Sequence, residues 1–338
     1  MHNKIIPFFA LLFLSLSTAL SAEDNEKSAS IKKDLEINLE AGISKYYGYT
    51  MYRAGGLYAV LTDIDCRWFP KNKIKFPVNT WMFDGSLSVN AFKILTVGSG
   101  VKKSISPRTD KMKFWDSTWN QLPKIWTIHG ECDNRIKAVF SDTDVLATLF
   151  SAGPFSFRLG LGFLYQNFDF RCSNLFSANT TFGYPSWTRY GGKFLTYKVE
   201  YYIPYLEARP VLSFMDDRLE IILGIKYSPY TKAKDLDDRI QDSTRYRGTA
   251  TGKKTVMCLF SAKYMFDSRV YLTVGMDYLY LLTRRGTQKQ YYYYSLYRPE
   301  FWANGNYNFT GVSAKTQNRY ESSQISLNFG VGYSIGIL

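Results

Sequence analysis

The stretch Ile325-Ser326-Leu327-Asn328-Phe329-Gly330-Val331-Gly332-Tyr333-Ser334-Ile335-Gly336-Ile337 alternates an apolar residue with a small or polar one from end to end. A period of two sends successive side chains to opposite faces of a strand, so this segment has one greasy face and one polar face. The same pattern recurs at Leu35 to Ile43, at Phe157 to Tyr165, at Leu219 to Tyr227 and at Val270 to Tyr278. Sandwich strands in water-soluble domains usually run about 5–6 residues. These runs are longer, and fit the roughly 9–11 residues that cross a bilayer on a tilt. Aromatic groups gather at their ends, as in Tyr46-Tyr47, Tyr201-Tyr202 and Tyr278 to Tyr280, where barrels carry girdles at the two lipid–water boundaries. The expected fold is all-β: a transmembrane antiparallel β-barrel of about ten strands in an outer membrane.

Composition agrees. The 338 residues are 46% hydrophobic and 17% aromatic, yet the mean hydropathy is only -0.22. After residue 20 no run of about 18 apolar residues occurs, so a spanning helix is excluded. The first 22 residues read as a secretory signal peptide, with Lys4, an apolar core from Ile5 to Leu16 and a small-residue exit at Ala19 to Ala22. Residues 23–33 read as a flexible lead-in and 34–338 as the barrel. The formal charge of +13 falls to +12 when Lys4 leaves with the leader. Export makes nucleic acid an unsuitable partner. The basic charge points instead to membrane lipid, lipopolysaccharide or small anionic solutes.

Turn signals place the strands. Asp84-Gly85 is a two-residue hairpin signal, and Ser151 to Pro154, Met215 to Asp217 and Asp267-Ser268 give three more tight turns. Long polar connections near 46–56, 98–135, 172–194, 232–253 and 284–317 suit the outer side. The strands then fall near 34–46, 57–83, 86–97, 136–150, 155–170, 195–214, 218–231, 254–266, 269–283 and 318–338. Alternation slips near Pro204, which predicts a bulge there.

Several short motifs occur in order: Gly55-Gly56, Phe114-Trp115-Asp116-Ser117, Phe157-Arg158-Leu159-Gly160-Leu161, Tyr165-Gln166, Ile203-Pro204-Tyr205 and Lys226-Tyr227-Ser228. With the ten-strand layout they resemble the omptin family, ten-stranded proteases of the outer membrane. The resemblance implies an Asp pair facing an Asp–His pair across a cleft, together activating a water. Matching Phe114-Trp115-Asp116 to the family's motif puts Lys111 and Lys113 where the first pair belongs. The second pair falls on Asp237-Asp238-Arg239, which keeps the Asp and replaces the base by Arg. A guanidinium stays protonated and cannot accept a proton near neutrality. Asp110, Asp116 and Asp235 lie nearby, and His129 is the one histidine left after the leader; an active protease with displaced residues would need it. The family's lipopolysaccharide positions after Tyr165 carry Asn167 and Asp169. The chain also resembles, more loosely, a group of porins from chlamydia-type (Protochlamydia) bacteria.

No cofactor or metal is expected, because the cysteines have no ligand spacing. Cys66, Cys132, Cys172 and Cys258 are an even set in an oxidising compartment. Hairpin register around residues 151–154 predicts a Cys132–Cys172 bridge, while Cys258, in phase with Val256 and Phe260, faces lipid. The inward face holds Glu36, Glu40, Arg158, Lys198, Glu200, Glu220, Lys226, Lys263 and Asp277. These groups form either an ion-paired plug or a narrow aqueous path whose mouth is lined by Lys111, Lys113, Arg239, Arg284 and Arg285. The expected function is therefore a non-proteolytic barrel acting as a porin-like channel for small solutes. The alternatives are the protease and a structural or host-contact protein using Tyr291 to Tyr297 and Trp302.

Overall fold

Each long strand of this protein passes from hydrocarbon into water, and the side-chain pattern inverts where it does so. The computed structural model describes residues 35–57, 68–92, 94–116, 128–179, 186–240, 244–266, 269–284, 286–292 and 312–337. Its strands are β1 (Leu35–Leu57), β2 (Trp68–Pro77), β3 (Thr80–Ala91), β4 (Leu95–Ser104), β5 (Met112–Asp116), β6 (Ile128–Ala152) and β7 (Phe155–Asn179). They continue with β8 (Ser186–Phe214), β9 (Leu219–Ser228), β10 (Thr231–Arg239), β11 (Thr244–Met265), β12 (Val270–Thr283), β13 (Gly286–Tyr292) and β14 (Val312–Ile337).

All pairings are antiparallel, and they close two stacked rings. The lower ring runs β1-β3-β4-β6-β7-β8-β9-β11-β12-β14 and back to β1. The upper ring runs β1-β2-β5-β6-β7-β8-β10-β11-β13-β14. Closure leaves no free sheet edge, which hydrocarbon demands, since an unpaired N–H or C=O there costs several kcal/mol.

In the lower ring the apolar residues point out: Leu39, Ile43, Phe83, Leu161, Leu206, Ile225, Val274 and Phe329 are exposed. In the upper ring they point in. Along β8, Leu195, Tyr197, Val199, Tyr201, Ile203 and Tyr205 are buried, whereas Leu206 is 57% exposed and Glu207 is buried. The slip near Pro204 is therefore this change of surroundings and not a bulge. Register runs unbroken through Phe163↔Pro204. On its other side β8 hands over from β9 to β10, with no partner between Tyr202↔Lys232 and Leu206↔Tyr227. Its missing N–H thus costs no ladder bond.

Other expectations need correction. Asp84-Gly85 lies inside β3 rather than at a turn; the chain reverses between Ala91 and Leu95, where Phe92 has φ 55°. Stretches read as loops at 46–56, 98–135, 172–194 and 232–253 are largely strand, because their polar outer face meets water rather than lipid. Lys198 and Glu200 face outward and pair with each other at 2.8 Å. Asp267-Ser268, Cys66, Trp302 and most of the Tyr291 to Tyr297 run lie outside the described residues.

The barrel interior is filled. Low down, Arg209 pairs with Glu207 at 2.7 Å and Asp144 at 2.6 Å, and Lys226 with Asp142 at 2.8 Å. Lys102 reaches Asp84 at 3.6 Å and Asp277 at 3.5 Å. Higher up, rings from opposite walls stack: Phe76 lies 4.4 Å from Tyr197 and 4.7 Å from Phe170, and Tyr197 lies 5.0 Å from Tyr52. Gln166 and Gln324 exchange amide hydrogen bonds across the lumen at 3.2 and 3.1 Å. Phe76→Ala removes the middle ring of this stack and is expected to cost about 3–5 kcal/mol. Urea unfolding of refolded protein in detergent measures it; a loss under about 1 kcal/mol would mean the walls do not depend on the stack.

Candidate functional site

The upper lumen concentrates the polar groups that could do chemistry. Alternation along β10 turns Ala233, Asp235, Asp237 and Arg239 inward, with Asp237 fully buried. Tyr52 of β1, on the opposite wall, donates its hydroxyl to Asp237 Oδ2. Arg239 Nε donates to the same oxygen at 3.3 Å, and its Nη2 to the Tyr52 hydroxyl at 3.3 Å. The guanidinium also lies 4.9 Å over the Tyr246 ring. Burial raises the Asp237 carboxyl above its ordinary range, and Arg239 acts against that rise. Arg239 itself is held fully protonated by Asp237. This is a closed, charge-neutral tether between two walls.

One turn of the alternation below, Asp235 is buried beside Tyr320 and Asn318, which crowd over the α-carbon of Gly248. A side chain at 248 would collide with all three, since an added Cβ would fall 2.2 Å from Asn318 Nδ2 and Asp235 Oδ1 and 2.3 Å from Tyr320 Oη. Burial pushes the Asp235 carboxyl up to about 7, and the Asp237 charge adds to the shift. Thr50 and Tyr201 join hydroxyls across the lumen nearby.

The omptin family profile matches residues 73–329. This chain is an omptin-family protein. OmpT, the outer-membrane protease of Escherichia coli, superposes with a TM-score of 0.71 at 15% identity, covering 92% of this chain and 99% of that one. OprG, an outer-membrane protein of Pseudomonas aeruginosa, is 8% identical, covers 90% of this chain and 97% of its own, and has a TM-score of 0.38. No curated protein matches in sequence. At this identity the likeness to OmpT shows the fold alone. The protein is thus an omptin-like β-barrel of the outer membrane.

In this omptin barrel, the positions matched to the protease motif are distributed differently than sequence alignment implies. Lys113 pairs laterally with Lys75 and lies exposed; Lys111 is exposed and bonded to Glu131. Both point away from the lumen, because Met112 and Phe114, between and beside them, point in: Met112 is fully buried and Phe114 packs on the core. The cleft wall is therefore apolar where basic residues were expected. Asp237 and Arg239 are brought together as expected. Arg284 is exposed, and Arg285 lies outside the described residues; among the four described mouth cations Arg239 is the one placed in the lumen. His129 is exposed and paired with outward-facing Trp115, on the other side of the sheet from Asp235 and Asp237. A general base must reach its proton within about 2.6–3.2 Å or through one water, and a side chain across the sheet does not. Sequence reasoning missed the inward Tyr52, Tyr197 and Tyr320; Tyr52 fell in the stretch 46–56 read as a polar connection, and no role was read for the other two.

Cys132 and Cys172, the pair read from the hairpin, are brought together as buried neighbours, here with free thiols. A register shift between Thr148 and Phe150 brings Asn134 opposite Cys172, and the Cys172 thiol donates to Asn134 Oδ1 at 3.7 Å. Burial raises its pKa, and Cys132 raises it further. Cys258 is exposed on the lipid face as expected.

Two outcomes follow from this geometry. Treatment of the folded barrel with a small disulfide oxidant is expected to join Cys132 to Cys172, detected by mass spectrometry as a linked peptide; two alkylated thiols after oxidation would exclude it. Asp235 binds its proton more tightly folded than unfolded, since its folded value of about 7 exceeds the ordinary 3.8. Its contribution to stability is therefore fullest below about pH 4 and is lost as pH rises towards 7. Asp235→Asn should flatten the fall in urea midpoint between pH 4.5 and 7.5; an unchanged slope would assign it elsewhere.

Proposed function

We propose that this omptin-family barrel does not cut peptides and works as a closed outer-membrane surface protein. The observation that carries this reading is Arg239, which the family resemblance matches to the proton acceptor: it is itself fully protonated and ties up Asp237 together with Tyr52. A hydrolytic centre needs a base matched to the working pH and room for a water. Here the opposing wall offers Met112 and Phe114, and aromatic rings fill the gap between the walls.

A second reading, a narrow channel for small ions or solutes, is favoured by one feature. A cavity of about 140 Å³ lies at mid-barrel under the ring stack, bordered by Lys102, Asp142, Lys226 and Asp277. Ten-strand rings are far narrower than the roughly 16–18 strands of open porins, so conduction would need the ion pairs to part.

The two readings separate in planar bilayers. The closed barrel gives no steps at high protein load, whereas stepwise, voltage-stable conductance would establish the channel. On dibasic peptides no cleavage above the uncatalysed background is expected; turnover that Asp237→Asn abolishes would restore the protease.

A further inference from the structure

The ion pairs of the lower lumen do not balance. Among the described residues they form two separate sets. In one, Lys102 serves Asp84 at 3.6 Å and Asp277 at 3.5 Å. In the other, Lys226 serves Asp142 at 2.8 Å and Glu207 at 3.8 Å, while Arg209 serves Glu207 at 2.7 Å and Asp144 at 2.6 Å. The first set has a single ammonium for two carboxylates, and the second has two cations for three carboxylates. Each is one cation short. A buried charge without a counter-charge is costly, so each set calls for one more cation.

The surplus falls where there is room. Asp142 and Asp277 are the most exposed of the five carboxylates, at 38% and 45%, and both line the mid-barrel cavity of about 140 Å³. Asp142 stands on β6 and Asp277 on β12, half-way round the lower ring from each other, so the cavity separates them across the lumen. Phe140, Leu164, Met257 and Leu279 give it apolar walls. The two lysines have other acceptors to hold them. Lys226 sits beside the Oε2 of Glu207, a buried oxygen with no hydrogen-bond partner, and closes on it when a second ammonium takes Asp142. Lys102 keeps Asp84 and the Asn328 Oδ1, at 3.1 Å, when Asp277 is taken. A cavity of about 150 Å³ in another protein holds benzene, with its six heavy atoms. A linear four-carbon diamine has the same number, with a cation at each end and methylenes between. We propose that the mid-barrel cavity binds a linear aliphatic diamine, one ammonium on Asp142 and the other on Asp277. A hydrated metal dication fits less well, since it takes oxygen ligands and the four apolar side chains offer none. The site lies in the cavity on which the channel reading draws but needs no conduction, so diamine binding and bilayer conductance can each fail without the other.

The test uses the full refolded chain in a neutral detergent with putrescine, the four-carbon diamine, and reads binding by titration calorimetry. One diamine per barrel is expected. Asp142→Asn and Asp277→Asn should each weaken binding about tenfold or more, because each removes a charged hydrogen-bond acceptor. Glu200→Gln, on the outer face, should stay within about twofold. Butylamine, with one ammonium, should bind about tenfold or more weakly than putrescine. Binding that does not saturate, equal losses in the inner and outer variants, or no binding below about 10 mM overturns the proposal. Potassium or magnesium displacing putrescine at equal charge concentration overturns it in favour of an inorganic cation. If neither aspartate variant refolds, diamine length decides the matter on the wild type. Each added methylene should raise affinity about fourfold up to the length the cavity holds, and the eight-carbon diamine should bind more weakly than the four-carbon one. Affinity that is flat with length, or that climbs steadily to eight carbons, overturns the site.

Discussion

The constraint on which the rest of this structure depends is that a backbone in hydrocarbon must pair every N–H and C=O within the protein. A sheet meets it only by closing on itself, and here closure is achieved twice, once in lipid and again in the water above. Six strands, β1, β6, β7, β8, β11 and β14, run through both rings, so one strand face must satisfy two different outer solvents. The side-chain pattern answers by inverting. Leu161 and Leu206 face lipid, while Phe168, Phe170, Val199 and Tyr201 on the same two strands turn into the lumen.

That inversion fixes the character of the interior. In the lower ring the inward residues are polar or charged, and Arg209, Lys226 and Lys102 pair with carboxylates, since an unpartnered buried charge costs several kcal/mol. In the upper ring the inward residues are aromatic and aliphatic, so opposing walls pack on each other as a core would. The upper lumen is thereby filled from both sides. Arg239, Asp237 and Tyr52 form a bond between its walls. On the outside, Arg319, Arg53 and Lys73 stand as lateral neighbours on one wall.

Much of the fold was legible in the residues. Alternation at Phe157 to Tyr165 and Ile325 to Ile337 marks lipid-facing strands, since hydrocarbon accepts nothing else on that face. The upper strands were harder to read, because a strand with water outside looks like a polar loop wherever its inward partners are Tyr, Thr or Ala. Asp84-Gly85 misled for a related reason: a hairpin dipeptide in mid-strand is tolerated when Asp84 has Lys102 and Ser44 as inward partners. The pairing of Asp237 with Arg239 was visible two residues apart. Tyr52, 185 positions from Asp237, was not.

The sequence by itself determined the barrel, its membrane, its family and that an arginine stands two residues after Asp237. These follow from local period, composition and residue identity. Only the tertiary structure decided which face each side chain of β5 presents, that Met112 and Phe114 rather than Lys111 and Lys113 line the cleft, and that Arg319, Arg53 and Lys73 stand side by side. The physical reason is register. A shift of one residue moves every side chain to the other face of a sheet, and lateral neighbours on three strands are set by ring closure, not by spacing along the chain.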